Sequence, residues 1–187
     1  QGGQMKKTAI LKVLAVSLVF GASVASADPI TFTGNGHSYE VIAVQGGISW
    51  TDAQTAAEAL GGYLATITSA EENAFLVDNF DLVGLPYWLG GFQDVGTSEP
   101  NGDWQWVTGE AWSYTNWASG EPNNTTGGNE DALSLAYFST EGTWNDAPAG
   151  YLYSNGGYVV EYVPEPATLA LFGLGLAGIG FSRRRKV

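Results

Sequence analysis

Apolar and polar positions alternate over two short stretches early in the chain. Ile30-Thr31-Phe32 and Tyr39 to Val44 read as paired strands around the turn Gly34-Asn35-Gly36. The period then lengthens. Ala53, Ala56, Ala57 and Leu60 recur at helical spacing behind a capping hydroxyl from Ser49 or Thr51, and Gly61-Gly62 stops the run. Tyr63 to Ile67 returns to a brief strand. Thr68-Ser69-Ala70-Glu71-Glu72 holds two overlapping capping boxes, and Phe75, Leu76 and Phe80 follow at near-helical spacing, which predicts a second helix. Beyond Pro86 the helical period is lost until the tail. Short aromatic strands are expected at Tyr87 to Leu89, Trp104 to Val107, Leu133 to Phe138 and Tyr158 to Tyr162, separated by loops rich in Gly, Asn, Asp and Pro. Thr108 to Asn129 carries no repetitive pattern, and loops that long are usually functional. Two helices followed by an irregular antiparallel sheet make an α+β architecture.

The two ends differ in kind from the middle. From Met5 a basic pair, Lys6-Lys7, precedes an apolar run to Phe20 and then Ala25-Ser26-Ala27, the layout of a signal peptide over residues 5–27, with residues 1–4 lying upstream of it. The apolar stretch is short of the roughly 20 residues a membrane span needs. At the other end, Val163-Pro164-Glu165-Pro166 leads into an uncharged segment from Ala167 to Phe181 and then Arg183-Arg184-Arg185-Lys186. As a helix that segment rises only about 22 Å against a hydrocarbon core of about 30 Å. A short apolar helix ended by a basic cluster inserts with the cluster on the cytoplasmic side, so residues 163–187 are expected to associate transiently with the membrane. Residues 28–162 are left as one domain, long enough for its own core.

Charge sharpens this division. All seven Lys and Arg lie before residue 13 or after residue 182, whereas all nineteen Asp and Glu lie between residues 28 and 165. Within the domain His37 is the one side chain able to carry positive charge, and as a lone histidine beside a strand it reads as a strand or turn residue. Nucleic-acid, phosphate and nucleotide ligands are disfavoured, because nothing supplies the cations they require. Converging carboxylates can be neutralised only by protons or by bound metal. The chain has no cysteine, which excludes thiolate zinc sites, iron–sulfur clusters and cysteine nucleophiles. With no Lys or Arg in the domain, catalytic triads and Schiff bases are set aside as well, leaving only a carboxylate pair of glycosidase type.

One ordered series is specific. Trp88-Leu89-Gly90-Gly91, Trp104-Gln105-Trp106-Val107, Glu110, Tyr114-Thr115-Asn116-Trp117, Gly120-Glu121-Pro122-Asn123-Asn124, Glu130-Asp131 and Trp144-Asn145-Asp146 follow one another along the chain. Upstream stand Gly62-Tyr63-Leu64-Ala65-Thr66-Ile67 and Glu72-Asn73. This succession resembles C-type lectins over nearly the whole domain, from Gly36 to Tyr162. The tail, with its Pro-Glu-Pro, apolar helix and Arg cluster, resembles a PEP-CTERM sorting signal of Gram-negative bacteria, the alternative being an ordinary tail anchor.

The first resemblance implies that Glu121, Asn123, Glu130, Asn145 and Asp146 ring one Ca²⁺, with a cis bond between Glu121 and Pro122. The residue chemistry agrees, since Ca²⁺ takes six to eight oxygens from carboxylates, amides and backbone, and these residues are expected on loops. Two vicinal sugar hydroxyls would complete the coordination against Glu121, Asn123, Glu130 and Asn145. The Glu-Pro-Asn order implies mannose- or glucose-type sugars, and Trp117 could stack on the ring. Asp94 and Asp131 are candidates for a second calcium, with Glu99 a poorer one. The family's disulfides have no counterpart here, and the nine positions from Glu121 to Glu130 are one more than is usual. Asn123-Asn124-Thr125-Thr126 also spells overlapping glycosylation acceptors, read here as coincidence. The resemblances together imply a non-enzymatic, calcium-dependent carbohydrate-binding protein exported through the inner membrane and periplasm. Processed by an exosortase, it would act at the cell surface or on exopolysaccharide. An adhesive, protein-binding or structural matrix domain without sugar affinity is the alternative.

Overall fold

Ser49 and Ser69 begin the two helices, each by the same local device. In a computed structural model of the chain, which describes residues 24–26 and 28–164 except 83, 95, 97, 126–128, 136–141 and 155, α1 runs Trp50–Ala59 and α2 runs Ala70–Asn79. The Ser49 hydroxyl accepts the Asp52 N–H at 3.1 Å, and the Ser69 hydroxyl accepts the Glu72 N–H at 3.1 Å. Such caps satisfy donors that the first helical turn cannot. Of the two hydroxyls expected to start α1, Ser49 is used. Glu72 departs from a simple capping box: its Oε2 accepts from the Thr68 N–H and hydroxyl at 2.7 and 3.1 Å, one residue before the cap.

The strands are β1 (Val24–Ser26), β2 (Ile30–Thr31), β3 (Ser38–Val44), β4 (Tyr63–Leu64), β5 (Tyr87–Phe92), β6 (Gln105–Trp106), β7 (Ala132–Leu135), β8 (Trp144–Ala147) and β9 (Gly157–Tyr162). Among the described residues they form one sheet in the order β1-β3-β9-β5-β7-β8, with β2 beside β3, β4 beside β9 and β6 beside β5. The expected antiparallel sheet is in fact mixed, because β5 and β9 pair in parallel, Tyr87 opposite Gly157 and Trp88 opposite Tyr158. β1 pairs with β3 and lies within the stretch that reads as the end of a signal peptide. The remainder of that stretch and the tail from residue 165 lie outside the described residues. Among the described residues no helix is long and apolar enough to cross a membrane.

Both faces of the sheet are covered, so its central strands read as continuous apolar runs. Along β9, Val159 joins one core with Leu76 of α2, Leu89, Leu133 and Trp144, while Tyr158 and Val160 join the other with Trp50, Ala53 and Ala57 of α1. Gly90 permits the tightest approach. A Cβ there would lie 2.5 Å from the Leu64 carbonyl oxygen, and the Gly90 N–H donates to Ala65 O at 2.9 Å.

A buried polar cluster ties the first hairpin to α2 and β9. His37 Nδ1 lies 2.5 Å from Glu161 Oε1, Thr66 N–H donates to Glu161 Oε2 at 2.8 Å, and Asn35 Nδ2 donates to Glu72 Oε1 at 3.0 Å. The Tyr39 hydroxyl bridges the two acids, donating to Glu72 and lying 3.3 Å from Glu161.

Five tryptophans pack together. Within the long loop, Trp112 packs on Trp106 and Trp104 at 4.5 and 5.7 Å between ring centres, and Trp117 meets Trp104 at 4.9 Å and Trp144 at 5.9 Å. Such aromatic pairs are each worth about 0.5–1.5 kcal/mol beyond burial. Several together are comparable with the about 2–5 kcal/mol that a native disulfide contributes to a small exported domain.

Candidate functional site

The site is built where β8 passes under the loop that starts at Glu121. β8 was not expected as a strand; its polar residues Asn145 and Asp146 sit in a buried ladder with β7, Leu133 opposite Asp146 and Ser134 opposite Asn145. Two of the five proposed ligands thus belong to a rigid sheet rather than to loops. The loop is anchored to that strand through its backbone: Ala118 N–H donates to Trp144 O, and Trp144 N–H donates to Asn116 O, both at 2.8 Å.

Asp146 organises the arm above it. Its carboxylate is 1% exposed and accepts the Asn123 N–H at 3.1 and 3.0 Å and the Asn124 N–H at 3.0 Å. Thr125 N–H is shared between Asn123 Oδ1 at 2.9 Å and Glu130 Oε2 at 2.7 Å. Glu130 is 4% exposed, and its own N–H donates to Asn124 Oδ1 at 3.0 Å. Asn145 turns its Nδ2 onto the Asp146 carbonyl. The Glu121–Pro122 peptide is cis.

Glu121 closes the ring. Burial, a hydrogen bond shared with Asp146 and the charges of Asp146 and Glu130 push its carboxyl up to about 7. Its Oε2 is buried with no hydrogen-bond partner. A buried acceptor without a donor costs about 1–3 kcal/mol, and no Lys or Arg exists in the domain to supply one. Among the described residues no three His, Asp or Glu side chains form a metal cage by themselves. An ion seated here would draw on the amides of Asn123 and Asn145 as well as on Glu121, Glu130 and Asp146. That mixed, all-oxygen donor set suits a hard cation, Ca²⁺ in particular.

The other candidates separate. Asp94 is exposed, and its Oδ2 accepts from Gln105 Nε2 at 2.8 Å. Asp131 accepts the Ala149 N–H at 3.3 Å, and its carbonyl accepts the Gln93 N–H at 2.9 Å. Glu99, rated below Asp94 in the sequence, holds a buried Oε2 without a partner, and so does Gln93 at Oε1. Burial first, then the charges of Asp131, Asp146 and Glu130, raise the Glu99 carboxyl. Glu99–Pro100 is cis like Glu121–Pro122. Each of these two glutamates has a buried side-chain oxygen that lacks a donor. The Glu-Pro dipeptide was a visible signal at position 99; the donation from Gln93 Nε2 to the Pro100 carbonyl, at 3.3 Å, was not, because it is made through the fold. Trp117 is half-buried and packed among Trp104, Trp112 and Trp144.

The Lectin C-type domain family matches residues 47–154, and a PEP-CTERM protein-sorting motif matches residues 163–186. The chain is 36% identical over 104 residues to a perlucin-like protein of Mytilus galloprovincialis, covering 54% of this chain and 62% of that one. It is 36% identical over 114 residues to the lectin BRA-3 of Megabalanus rosa, covering 60% and 64%. The chain thus spans less than two thirds of these curated relatives. Among solved structures, the carbohydrate-recognition domain of cow CD23, determined in the presence of an oligosaccharide, matches with TM-score 0.58 and 28% identity over 74% of this chain and 95% of that one. The carbohydrate-recognition domain of mouse scavenger receptor C-type lectin matches with TM-score 0.58 and 25% identity over 73% and 96%.

Proposed function

Because the chain belongs to the C-type lectin family, whose members are carbohydrate-binding proteins and not enzymes, we propose that it is a calcium-dependent lectin of the mannose and glucose type. Its sorting motif marks it as exported to the cell surface. There, after exosortase processing, it would bind exopolysaccharide or another mannose-type glycan. The observation that carries the reading is the Glu121 Oε2, buried without a partner beside Asp146 and Glu130 in a domain that holds no Lys or Arg. Glu121, Asn123, Glu130, Asn145 and Asp146 would hold the ion. Bound calcium would neutralise the clustered carboxylates and present open coordination positions to two vicinal hydroxyls. The protein's own share is orientation: Glu121 accepts from one hydroxyl, Asn123 donates to the other, and Glu130 and Asn145 repeat the arrangement opposite. Trp117, half-buried and held by its packing, would offer a sugar ring only its exposed part.

A second ion would sit on Glu99 and Asp131 with the Gln93 amide oxygen, rather than on Asp94. Calcium titration by calorimetry, read for stoichiometry, tests both sites, and a glycan array with and without chelator tests the sugar. Calcium that neither binds nor raises the melting temperature would overturn the metal reading. Calcium binding with no glycan retained would favour the adhesive or structural alternative.

A further inference from the structure

Asn124 grips both arms of the site. Its N–H reaches down to Asp146 Oδ2 on β8, and its side-chain Oδ1 reaches across to the Glu130 N–H, each at 3.0 Å. Glu130 is thereby fixed twice, its backbone by the Asn124 amide and its carboxylate by the Thr125 N–H at 2.7 Å. Asn124 holds a left-handed backbone, φ 50°, a conformation that Asn tolerates better than most side chains. Chemistry narrows the choice further. Glycine would accept the backbone angle but offers no acceptor to Glu130. Aspartate offers the acceptor but adds a charge beside Glu121, Glu130 and Asp146, where no Lys or Arg offsets it. Asparagine combines the angle with a neutral acceptor.

We propose that Asn124 is a positioning residue: its side chain seats Glu130 against the Glu121–Asn123 arm before any ion arrives. The inference rests on the calcium reading above for its consequence, but its geometry concerns the metal-free protein. Groups that orient metal ligands typically change affinity by about 10- to 100-fold when removed. In a lectin without disulfides, a loop preset in this way would take up calcium without first having to order its chain.

The test compares Asn124→Gly with Asn124→Asp in the full chain. In chelator, hydrogen exchange at the Glu130 amide is expected to be slow in the wild type and in Asn124→Asp, and fast in Asn124→Gly. Calorimetry is expected to show calcium bound roughly tenfold more weakly by Asn124→Gly and at least as tightly as wild type by Asn124→Asp. Unchanged Glu130 protection and calcium affinity in Asn124→Gly would overturn the proposal. So would an Asn124→Asp protein as impaired as the glycine variant, or a wild-type Glu130 amide unprotected in chelator. A wild type that protects Glu130 but binds no calcium would sink the calcium reading and leave the positioning role standing.

Discussion

His37 Nδ1 stands 2.5 Å from Glu161 Oε1, which sets the one basic side chain among the described residues against a buried acid. Glu161 is 1% exposed. Burial raises its carboxyl above the usual range, opposed by the Thr66 N–H and His37. Glu121 moves the same way, to about 7 from 4.5. A folded state that holds protons at higher pH than the unfolded chain gains stability from them below the unfolded pKa and loses it as pH rises through the folded one. In chelator, the melting temperature is therefore expected to be highest in mildly acidic solution and to fall between about pH 4.5 and 7. Glu161→Gln should flatten part of that slope. A melting temperature that rises steadily over this range would contradict the assignment.

Glu121 and Asp146 should respond oppositely to neutralisation, although both are proposed ligands. Glu121→Gln removes a like charge beside Asp146 and Glu130, so it should raise stability in chelator while abolishing the gain from calcium. Asp146→Ala strands the Asn123 and Asn124 amides, each worth about 1.5–3 kcal/mol when bonded to a charged acceptor. It should lower the melting temperature with or without calcium. Thermal melts of both variants in chelator and in millimolar calcium decide this.

Sugar choice should follow the order of acceptor and donor along the loop. Glu121→Gln combined with Asn123→Asp exchanges them, and binding is expected to move from mannose-type towards galactose-type sugars on a glycan array. A double variant still preferring mannose-type ligands would move recognition away from this pair.

Some of this was plain in the sequence and some was not, for physical reasons. Capping is local, so Ser49 and Ser69 were readable as helix starts. β8 was not, because Trp144-Asn145-Asp146-Ala147 buries two polar residues whose partners come from β7 and from the loop at Asn123. The parallel pairing of β5 with β9 joins segments about seventy residues apart, beyond any local pattern. Asn124 looked like half of a glycosylation acceptor, since only the fold brings it between Asp146 and Glu130.

The distribution of basic residues gives a test of processing. No Lys or Arg lies between Lys12 and Arg183, so a product trimmed after Ala27 and near Pro164-Glu165-Pro166 should resist trypsin even when denatured. Surface protein whose intact mass still includes Lys186-Val187 would show that the tail is kept as an anchor.

The indole cluster sets where this domain can mature. Trp104, Trp106, Trp112, Trp117 and Trp144 come together through ring packing and the indole hydrogen bonds of Trp104 and Trp144, and no covalent cross-link has to form or be reshuffled on the way. Thiol–disulfide exchange, which takes seconds to hours and depends on the ambient oxidant, has no part in its folding. The domain can therefore reach the same structure in an oxygenated film or in a reducing sediment, with no call on the cell's disulfide-forming enzymes.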